Sequence, residues 1–123
     1  MSRVFLLEDH SWFRKALADL LKREPDLQVV GEAGSLSEAR ADVTDMPQTI
    51  DLALIDLLLP DGIGTELIGD LRRINPKVPV LVLTVARGAD LYSWVRSMGA
   101  DEMISKDASL DEILAAVRLL LRG

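Results

Sequence analysis

The 123-residue chain contains no cysteine, and this absence excludes disulfide bonds, thiol catalysis and thiolate metal sites. The same absence fits a reducing compartment, so we expect a cytoplasmic protein. Histidine is nearly absent as well. His10 is the only one, so a Ser-His-Asp triad would have to use it, and no other pattern suggests such a triad.

Long apolar runs are also missing. No run approaches transmembrane length, and no basic-then-apolar signal segment opens the chain, so we expect no membrane contact. Basic residues are outnumbered, with 14 Lys and Arg against 20 Asp and Glu. The formal net charge of −6 argues against nucleic-acid binding by this segment. A hydrophobic content of 49% is enough for one domain with a real core.

What is present is an alternation of short apolar runs with helical patterns. The runs predicted to be strands are Arg3–Leu7, Leu27–Val30, Asp51–Asp56, Pro79–Thr84 and Asp101–Ser105. The patterns predicted to be helices are Ser11–Glu24, a weak one around Leu36, Ala39 and Val43, one marked by Leu67, Ile68, Leu71 and Ile74, then Gly88–Met98, and a last one opening at Ser109. Five strands alternating with five helices predict an α/β fold with a doubly wound parallel sheet and right-handed crossovers.

Local signals mark the helix ends. Pro25 and Pro47 are expected to end the first two helices. Natural N-cap residues precede three helices, namely Asp9 or Ser11, Ser35 or Ser37, and Ser109. The apolar stripe predicted to face the core on the first helix consists of Trp12, Ala16, Leu17, Leu20 and Leu21.

Polar residues stand where four of the predicted strands end. Glu8 and Asp9 follow the first strand, Asp56 closes the third, Thr84 closes the fourth, and Lys106 follows the fifth. In an open parallel sheet, the carboxyl ends of the strands share one crevice where ligands bind. These residues are therefore predicted to form one site.

The residue types indicate the chemistry of that site. Oxygen ligands without His or Cys partners suit Mg²⁺ or Mn²⁺ rather than zinc. Three carboxylates forced together repel one another, and a divalent cation relieves the repulsion. A carboxylate beside such a cation can attack phosphorus and form an acyl phosphate. The Lys106 ammonium could neutralise the phosphoryl oxygens, and the Thr84 hydroxyl could donate a hydrogen bond to one of them.

Each of these residues also has an ordinary interpretation when taken alone. Glu8 and Asp9 could merely cap a helix, Asp56 could be a loop acid, Thr84 a strand-end residue and Lys106 a solvated lysine. Their coincidence at four strand ends favours the functional interpretation.

As a set, these residues resemble the receiver domain of two-component response regulators, and the resemblance runs from Arg3 to Gly123. The matching positions are the acid pair Glu8-Asp9, the phosphoacceptor Asp56 with its loop through Pro60 and Gly64, the hydroxyl Thr84 and the lysine Lys106. The resemblance implies a single (βα)5 flavodoxin-like domain over residues 1–123. Its five-stranded parallel sheet would have the order 2-1-3-4-5, with five flanking helices.

Finer features are similar to the NarL/LuxR-type subgroup of DNA-binding regulators. They are Asp9-His10, Phe13-Arg14, Glu24–Leu27, Val30–Ala33 and Lys106-Asp107. This resemblance implies that Asp9, Asp56 and the Leu58 carbonyl hold Mg²⁺, with Glu8 acting directly or through water. It also implies a helix-turn-helix output domain beyond Gly123, which is not part of this chain.

The implied function is a phosphorylation-controlled signalling switch. A sensor histidine kinase would donate a phosphoryl group to Asp56, and the altered protein–protein interface, a homodimer among the candidates, would regulate transcription. The domain would not be an enzyme beyond catalysing its own phosphorylation and dephosphorylation.

Three positions depart from the usual receiver pattern. Val85 stands where a small residue usually follows the hydroxyl position, so we expect it to crowd the site. Met103 stands where an aromatic residue usually takes part in the activation switch. Leu58, two residues after Asp56, is apolar and cannot orient an attacking water.

Three alternatives remain open from the sequence. Val85 and Met103 would suit a degenerate receiver that acts as a phosphorylation-independent interaction module. A phosphatase of the haloacid dehalogenase type would want an aspartate where Leu58 stands. A flavodoxin-like electron carrier would want a phosphate-binding loop after the first strand, where Glu8 and Asp9 would repel a phosphate.

Overall fold

The computed structural model describes residues 1–45 and 50–123. Seven strands are assigned within these residues: β1 (Ser2–Leu7), β2 (Leu27–Ala33), β3 (Leu52–Asp56), β4 (Leu58–Leu59), β5 (Gly62–Ile63), β6 (Val80–Thr84) and β7 (Glu102–Ser105). The α-helices are α1 (Ser11–Lys22), α2 (Leu36–Asp45), α3 (Ile68–Ile74), α4 (Ala89–Ser97) and α5 (Leu110–Arg122). A 3₁₀ turn over Gly64–Leu67 leads into α3.

The main sheet has five parallel strands in the order β2-β1-β3-β6-β7. Because β4 and β5 form a separate two-stranded hairpin, this order is the predicted 2-1-3-4-5. The prediction of a doubly wound α/β domain is therefore confirmed. The order reverses between β1 and β3, so the carboxyl ends of these two strands border the crevice that such a sheet opens.

The central strands are buried on both faces, as their continuous apolar runs predicted. Alternate residues point to opposite sides of the sheet. On one side, Phe5, Ile55 and Val82 pack with apolar residues of α2, α3 and α4. On the other side, Leu6 and Leu54 pack with apolar residues of α1 and α5. Each fully buried side chain of this size contributes about 1.5–3 kcal/mol, so these two cores fix the strand ends in space.

The predicted boundaries need several corrections. The second strand continues beyond Val30 to Ala33, because β2 pairs with β1 along its whole length. The first helix ends at Lys22 rather than Glu24. Pro47, predicted to end the second helix, lies outside the described residues. The predicted capping of the last helix is confirmed, since Ser109 Oγ accepts a hydrogen bond from the Glu112 N–H at 3.1 Å.

The predicted core stripe of the first helix is wrong at Trp12. Its side chain is 72% exposed, whereas Leu17, Ala18 and Leu21 are buried. Phe13, one position further on, packs against the core instead. Helical spacing identifies the buried face of a helix only to within about one residue. In the structure, α1 packs on the sheet with the face that is centred nearer Phe13.

The loop predicted over Leu57–Gly64 is more ordered than its turn residues indicated. Leu58 and Leu59 pair antiparallel with Ile63 and Gly62. Gly64 closes this hairpin, and its N–H donates to the Leu57 carbonyl at 2.7 Å. A Cβ at Gly64 would lie 2.0 Å from the carbonyl oxygen of Asp56, so only glycine fits there.

No helix within residues 1–45 and 50–123 is long and apolar enough to cross a membrane.

Candidate functional site

The structure places the predicted site residues along the carboxyl edge of the main sheet. Glu8 directly follows β1, Asp56 and Thr84 are the last residues of β3 and β6, and Lys106 directly follows β7. Because these strands are neighbours in the order β1-β3-β6-β7, the segments that follow the four strands lie side by side at one edge of the sheet.

Three carboxylates meet at this edge. Glu8, Asp9 and Asp56 each offer an oxygen, and these oxygens lie within 4.8 Å of one another. Glu8 is fully buried, Asp56 is 3% exposed, and Asp9 faces solvent. The arrangement leaves a negatively charged cluster open to water on the Asp9 side.

Lys106 extends its ammonium between two of the carboxylates. Its Nζ lies 2.8 Å from Glu8 Oε1 and 2.9 Å from Asp56 Oδ2. The same Nζ lies 5.4 Å from the centroid of the Phe13 ring, which is within range of a cation–π contact. One ammonium thus faces three carboxyl groups, so the cluster keeps excess negative charge.

In this cluster the pKa of Asp56 is raised to about 7. Burial is the largest cause, followed by the hydrogen bond with Asp9, and the nearby charge of Glu8 adds to both. The hydrogen bond with Lys106 lowers the pKa of Asp56, but by less than these causes raise it. Near neutral pH, the buried Asp56 carboxyl is therefore close to the midpoint between its acid and carboxylate forms.

Asp9 and Lys106 shift toward their charged forms. The hydrogen bond with Asp56 lowers the pKa of Asp9, although burial partly opposes it. Burial alone would lower the pKa of Lys106, but its hydrogen bonds to Glu8 and Asp56 raise it above the ordinary value. Lys106 is accordingly a permanent cation at physiological pH.

Thr84 and Leu58 lie beside the cluster. Thr84 is 1% exposed, and its Oγ1 accepts a hydrogen bond from the Ala86 N–H at 3.0 Å. In the sheet, Asp56 is in register with Leu83, the residue before Thr84. Leu58 opens the hairpin two residues after Asp56, and its side chain is 55% exposed.

Sequence reasoning missed the contacts that hold Glu8 in place. The His10 N–H donates to Glu8 Oε2 at 2.9 Å, and Arg14 Nη1 donates to the Glu8 carbonyl at 2.7 Å. His10 is also the N-cap of α1, since its Nδ1 accepts from the Phe13 N–H at 3.3 Å. Neither Asp9 nor Ser11, the caps of the ordinary interpretation, caps α1. Asp9 belongs to the carboxylate cluster instead.

An open groove lies beside Lys106. It has a volume of about 260 Å³ and is lined by His10, Trp12, Phe13, Val85 and Lys106. Val85 is 62% exposed there. The expectation that Val85 adds bulk near the site agrees with its place on the wall of this groove. Its effect on phosphoryl entry stays a prediction.

Met103, another of the three departures, is half-buried on β7 and packs against the core cluster beneath α4. It is in register with Val82 of β6. The side chain is thus placed where a movement would be felt by both α4 and the sheet.

The donor set fits a hard divalent cation. The structure supplies three convergent carboxylates, excess negative charge and no sulfur ligand, which is the combination that Mg²⁺ and Mn²⁺ prefer. A backbone carbonyl from the adjacent hairpin would add a further oxygen.

Comparison with known proteins now gives the family. The family model described as the response regulator receiver domain matches residues 4–118. DNA-binding transcriptional activator DevR/DosR of Mycobacterium tuberculosis is 40% identical over 118 residues, which cover 96% of this chain and 54% of the relative. Transcriptional regulatory protein UhpA of Salmonella typhimurium is 37% identical over 124 residues, covering 100% of this chain and 60% of the relative. The chain thus spans a little over half the length of these relatives.

Solved structures agree with this. A two-component response regulator of the LuxR family from Aurantimonas sp. SI85-9A1 superposes with a TM-score of 0.88 at 27% identity, covering 100% of this chain and 86% of the other. The signal receiver domain of the NarL regulator from Mycobacterium tuberculosis gives 0.85 at 25% identity, covering 99% and 97%. The chain belongs to the response regulator receiver domains of two-component systems and is related to transcriptional regulators of the NarL/LuxR type.

Proposed function

We propose that this domain is a phosphorylation-controlled switch in which Asp56 accepts a phosphoryl group from a sensor histidine kinase in the presence of Mg²⁺. The observation that carries the proposal is the cluster itself, in which a nearly buried aspartate lies between two further carboxylates and an ammonium. Mn²⁺ would serve in place of Mg²⁺.

The proposed step is a phosphoryl transfer to a carboxylate oxygen of Asp56. That oxygen attacks phosphorus and forms a new P–O bond. The bond from phosphorus to the phosphohistidine nitrogen breaks, and its electron pair leaves with the imidazole of the kinase. With acetyl phosphate as donor, the P–O bond to acetate breaks instead. Such transfers need mainly positioning and neutralisation of charge.

Asp9, Asp56 and the Leu58 carbonyl would hold the metal ion, with Glu8 acting directly or through water. The bound ion would supply charge neutralisation for the phosphoryl oxygens. It would also hold Asp56 in its ionised, nucleophilic form, against the burial that raises its pKa to about 7.

Lys106 and Thr84 would act on the phosphoryl group. In the unphosphorylated protein the Lys106 ammonium is 2.9 Å from Asp56 Oδ2, so it already stands beside the reacting carboxylate. The Thr84 hydroxyl would exchange its contact with Ala86 for one with the phosphoryl oxygen. That exchange would move the loop between β6 and α4 and so change the surface formed by α4, β7 and α5.

The proposed regulatory output of the switch is inferred from the named relatives. The one named as a DNA-binding transcriptional activator is longer than this chain, so transcriptional regulation would need an output domain that these residues do not include. This domain itself would act through protein contacts in the cytoplasm, with homodimer formation on phosphorylation as one form of output. A methylesterase/glutaminase of Agrobacterium fabrum is 30% identical but only 31% of it is covered, so its enzymatic name does not transfer to this domain.

The test is incubation with acetyl phosphate and Mg²⁺, followed by intact mass. One added phosphoryl group is expected. Trapping by borohydride reduction and peptide mapping should locate it at Asp56. Asp56→Asn should remain unlabelled, while Asp51→Asn, which changes an acid at the other end of the same strand, should label normally.

The same experiment decides against the alternative. A phosphorylation-independent module would give no labelling in the wild-type protein at any Mg²⁺ concentration. The geometry does not favour that alternative, because Val85 lines the groove without closing it, and the carboxylates and Lys106 are all in place.

A further inference from the structure

We propose that Asp61 is a positioning residue that fastens the metal-binding hairpin to the start of α2 and thereby sets the Mg²⁺ affinity of the site. The inference rests on the proposed function, since it concerns how the chain presents the Leu58 carbonyl beside Asp56. Asp61 does not belong to the carboxylate cluster.

The anchor consists of two hydrogen bonds that cross 24 and 25 positions of sequence. Asp61 Oδ1 accepts from the Leu36 N–H at 2.9 Å, and Oδ2 accepts from the Ser37 N–H at 3.0 Å. Both N–H groups belong to the first turn of α2, which has no partners for them within the helix. The hydrogen bonds from these two N–H groups lower the pKa of Asp61, so it stays a carboxylate at neutral pH.

The backbone next to Asp61 also restricts the position of the hairpin tip. Gly62 has a φ of +155°, and a Cβ there would lie 2.5 Å from Leu36 Cδ1. The next residue is held as well, because the Ile63 N–H donates to Glu66 Oε2 at 2.9 Å. The tip of the hairpin therefore has little freedom to move while Asp61 holds α2.

The hairpin transmits this constraint to Leu58. Leu58 pairs with Ile63 and Leu59 pairs with Gly62, so the tip and the proposed ligand are linked by one short ladder. The other side of the loop is fixed by the Gly64 N–H, which donates to the Leu57 carbonyl. A shift of the tip would thus change the placement of Leu58 while leaving Asp56, which lies in β3, where it is.

The helix itself depends less on Asp61 than the hairpin does. Ser35 Oγ accepts from the Glu38 N–H at 3.2 Å, so α2 keeps a cap of its own if Asp61 is removed. Ser35 has no corresponding bond to the hairpin within the described residues. This asymmetry supplies a matched pair of variants, Asp61→Ala and Ser35→Ala.

The test measures metal affinity directly. Mn²⁺ binding is followed by the electron paramagnetic resonance signal of the free ion, and Mg²⁺ by its competition with Mn²⁺. Asp61→Ala should weaken both by roughly tenfold, the loss seen when groups that orient metal ligands are removed. Ser35→Ala should leave both affinities unchanged. Asp61→Asn keeps one acceptor and should fall between, and it replaces Asp61→Ala if that variant does not fold.

A second readout separates positioning from general damage. The rate of labelling by acetyl phosphate should recover to near the wild-type value in Asp61→Ala when Mg²⁺ is saturating, because Asp56 and Lys106 are undisturbed. A loss that persists at saturating Mg²⁺, or equal losses of affinity in Asp61→Ala and Ser35→Ala, would overturn the inference. So would a wild-type affinity in Asp61→Ala.

These results are distinguishable from failure of the proposed function. If the wild-type protein neither binds Mg²⁺ nor is labelled at Asp56, the proposed function falls and the inference falls with it. If the wild-type protein does both and Asp61→Ala binds metal equally well, only the role of Asp61 is lost.

Discussion

The two ends of the main sheet carry the same kinds of charged residue in different arrangements. At the amino ends of the strands, Arg72 and Arg118 join neighbouring loops and pair with three carboxylates, those of Asp101, Glu24 and Asp26. At the carboxyl ends, three carboxylates face the ammonium of Lys106. The first arrangement stabilises the fold, whereas the second holds three carboxyl groups beside a single cation, and protonation of Asp56 or binding of a further cation would reduce their repulsion.

Arg72 shows how the amino end is built. It donates to the Gly99 carbonyl at 2.6 Å, to the Val78 carbonyl at 3.2 Å and to Asp101 Oδ2 at 3.0 Å. Asp101 in turn accepts from the Val80 N–H at 2.8 Å. One guanidinium thus joins the segments that enter β6 and β7.

Arg118 does the same between α5 and the turn before β2. It pairs with Glu24 and lies 2.8 Å from Asp26 Oδ2. This contact lowers the pKa of Asp26, the normal behaviour of a carboxylate that has found its cation. At the other end of the sheet burial and neighbouring acids raise the pKa of Asp56, which is typical of sites that trade stability for function.

The largest expected effect on stability comes from removing the Lys106 ammonium at the carboxyl end of the main sheet. Lys106→Met should lower the free energy of unfolding by about 3 kcal/mol, because it leaves the buried Glu8 carboxylate without its charged partner. Urea unfolding at neutral pH without Mg²⁺ measures the change. The matched control is Lys22→Met, which breaks an exposed pair with Glu32 and should cost less than about 1 kcal/mol. Equal losses in the two variants would contradict the account of the cluster.

At the amino end, Arg72→Ala should cost about 2 kcal/mol, because two backbone carbonyls and Asp101 lose their donor. The side chain of the neighbouring Arg73 is 81% exposed and, within residues 1–45 and 50–123, pairs only with Asp70 in the same helix, so Arg73→Ala should cost a few tenths of a kcal/mol. Neither variant should change Mg²⁺ affinity. A change in that affinity for Arg72→Ala would show that the two ends of the sheet are coupled.

Two variants, Asp56→Asn and Asp26→Asn, each replace a carboxylate at one end of the sheet by a neutral amide. They should change the pH dependence of the free energy of unfolding in opposite directions. Asp56 binds its proton more tightly in the folded protein, so its contribution to stability falls as pH rises from about 4 to about 7 and is constant above. Asp56→Asn should therefore be more stable than the wild type at pH 8 without Mg²⁺. The gain should vanish near pH 4.

Asp26 is the counterpart. Its pKa is lowered in the folded protein, so the stability it contributes is present above its unfolded pKa and is lost as pH falls through its folded pKa. Asp26→Asn should therefore be less stable than the wild type at pH 7 and approach it in acid. Thermal unfolding of both variants across this pH range tests the pair, and the same sign for both would remove the contrast between the two ends.

The smallest expected effect is at the groove. Val85→Ala should raise the rate of labelling by acetyl phosphate a few-fold, since Val85 lines the same groove as Lys106 and we expect a small donor to approach Asp56 from that groove. Leu119→Ala, which truncates an apolar side chain 66% exposed on α5, is the control and should label at the wild-type rate. An equal or slower rate for Val85→Ala would mean that its bulk does not hinder entry.

Much of this comparison was visible in the sequence. The central strands appear as unbroken apolar runs, and the parallel topology follows from the alternation of strands and helices. Together these place Glu8, Asp56 and Lys106 at one edge without any coordinates. The amino-end clamps were not predicted, because nothing in the spacing of Arg72 and Asp101 distinguishes them from solvated surface charges.

Predictions from local sequence features, such as cap propensity and helical spacing, failed at residues whose tertiary contacts give them a different role. Asp9 is a better helix cap than His10 by propensity, but its carboxylate is taken by the cluster, and His10 caps α1 in its place. Trp12 fits the apolar stripe by spacing, yet the docking of α1 turned it to solvent. Asp61 sits between Pro60 and Gly62 like an ordinary turn residue, and its partners are 24 and 25 positions away.

The sequence by itself determined the order of elements, the buried strands and the identity of the groups at the strand ends, because these depend on hydrophobic periodicity and on the geometry of parallel sheets. The tertiary structure alone decided which carboxyl groups lie together beside Lys106, which helix start Asp61 holds, and which face of α1 is buried. Those outcomes depend on distances of a few ångströms between segments far apart in the chain, and burial and Coulomb energies change steeply over such distances.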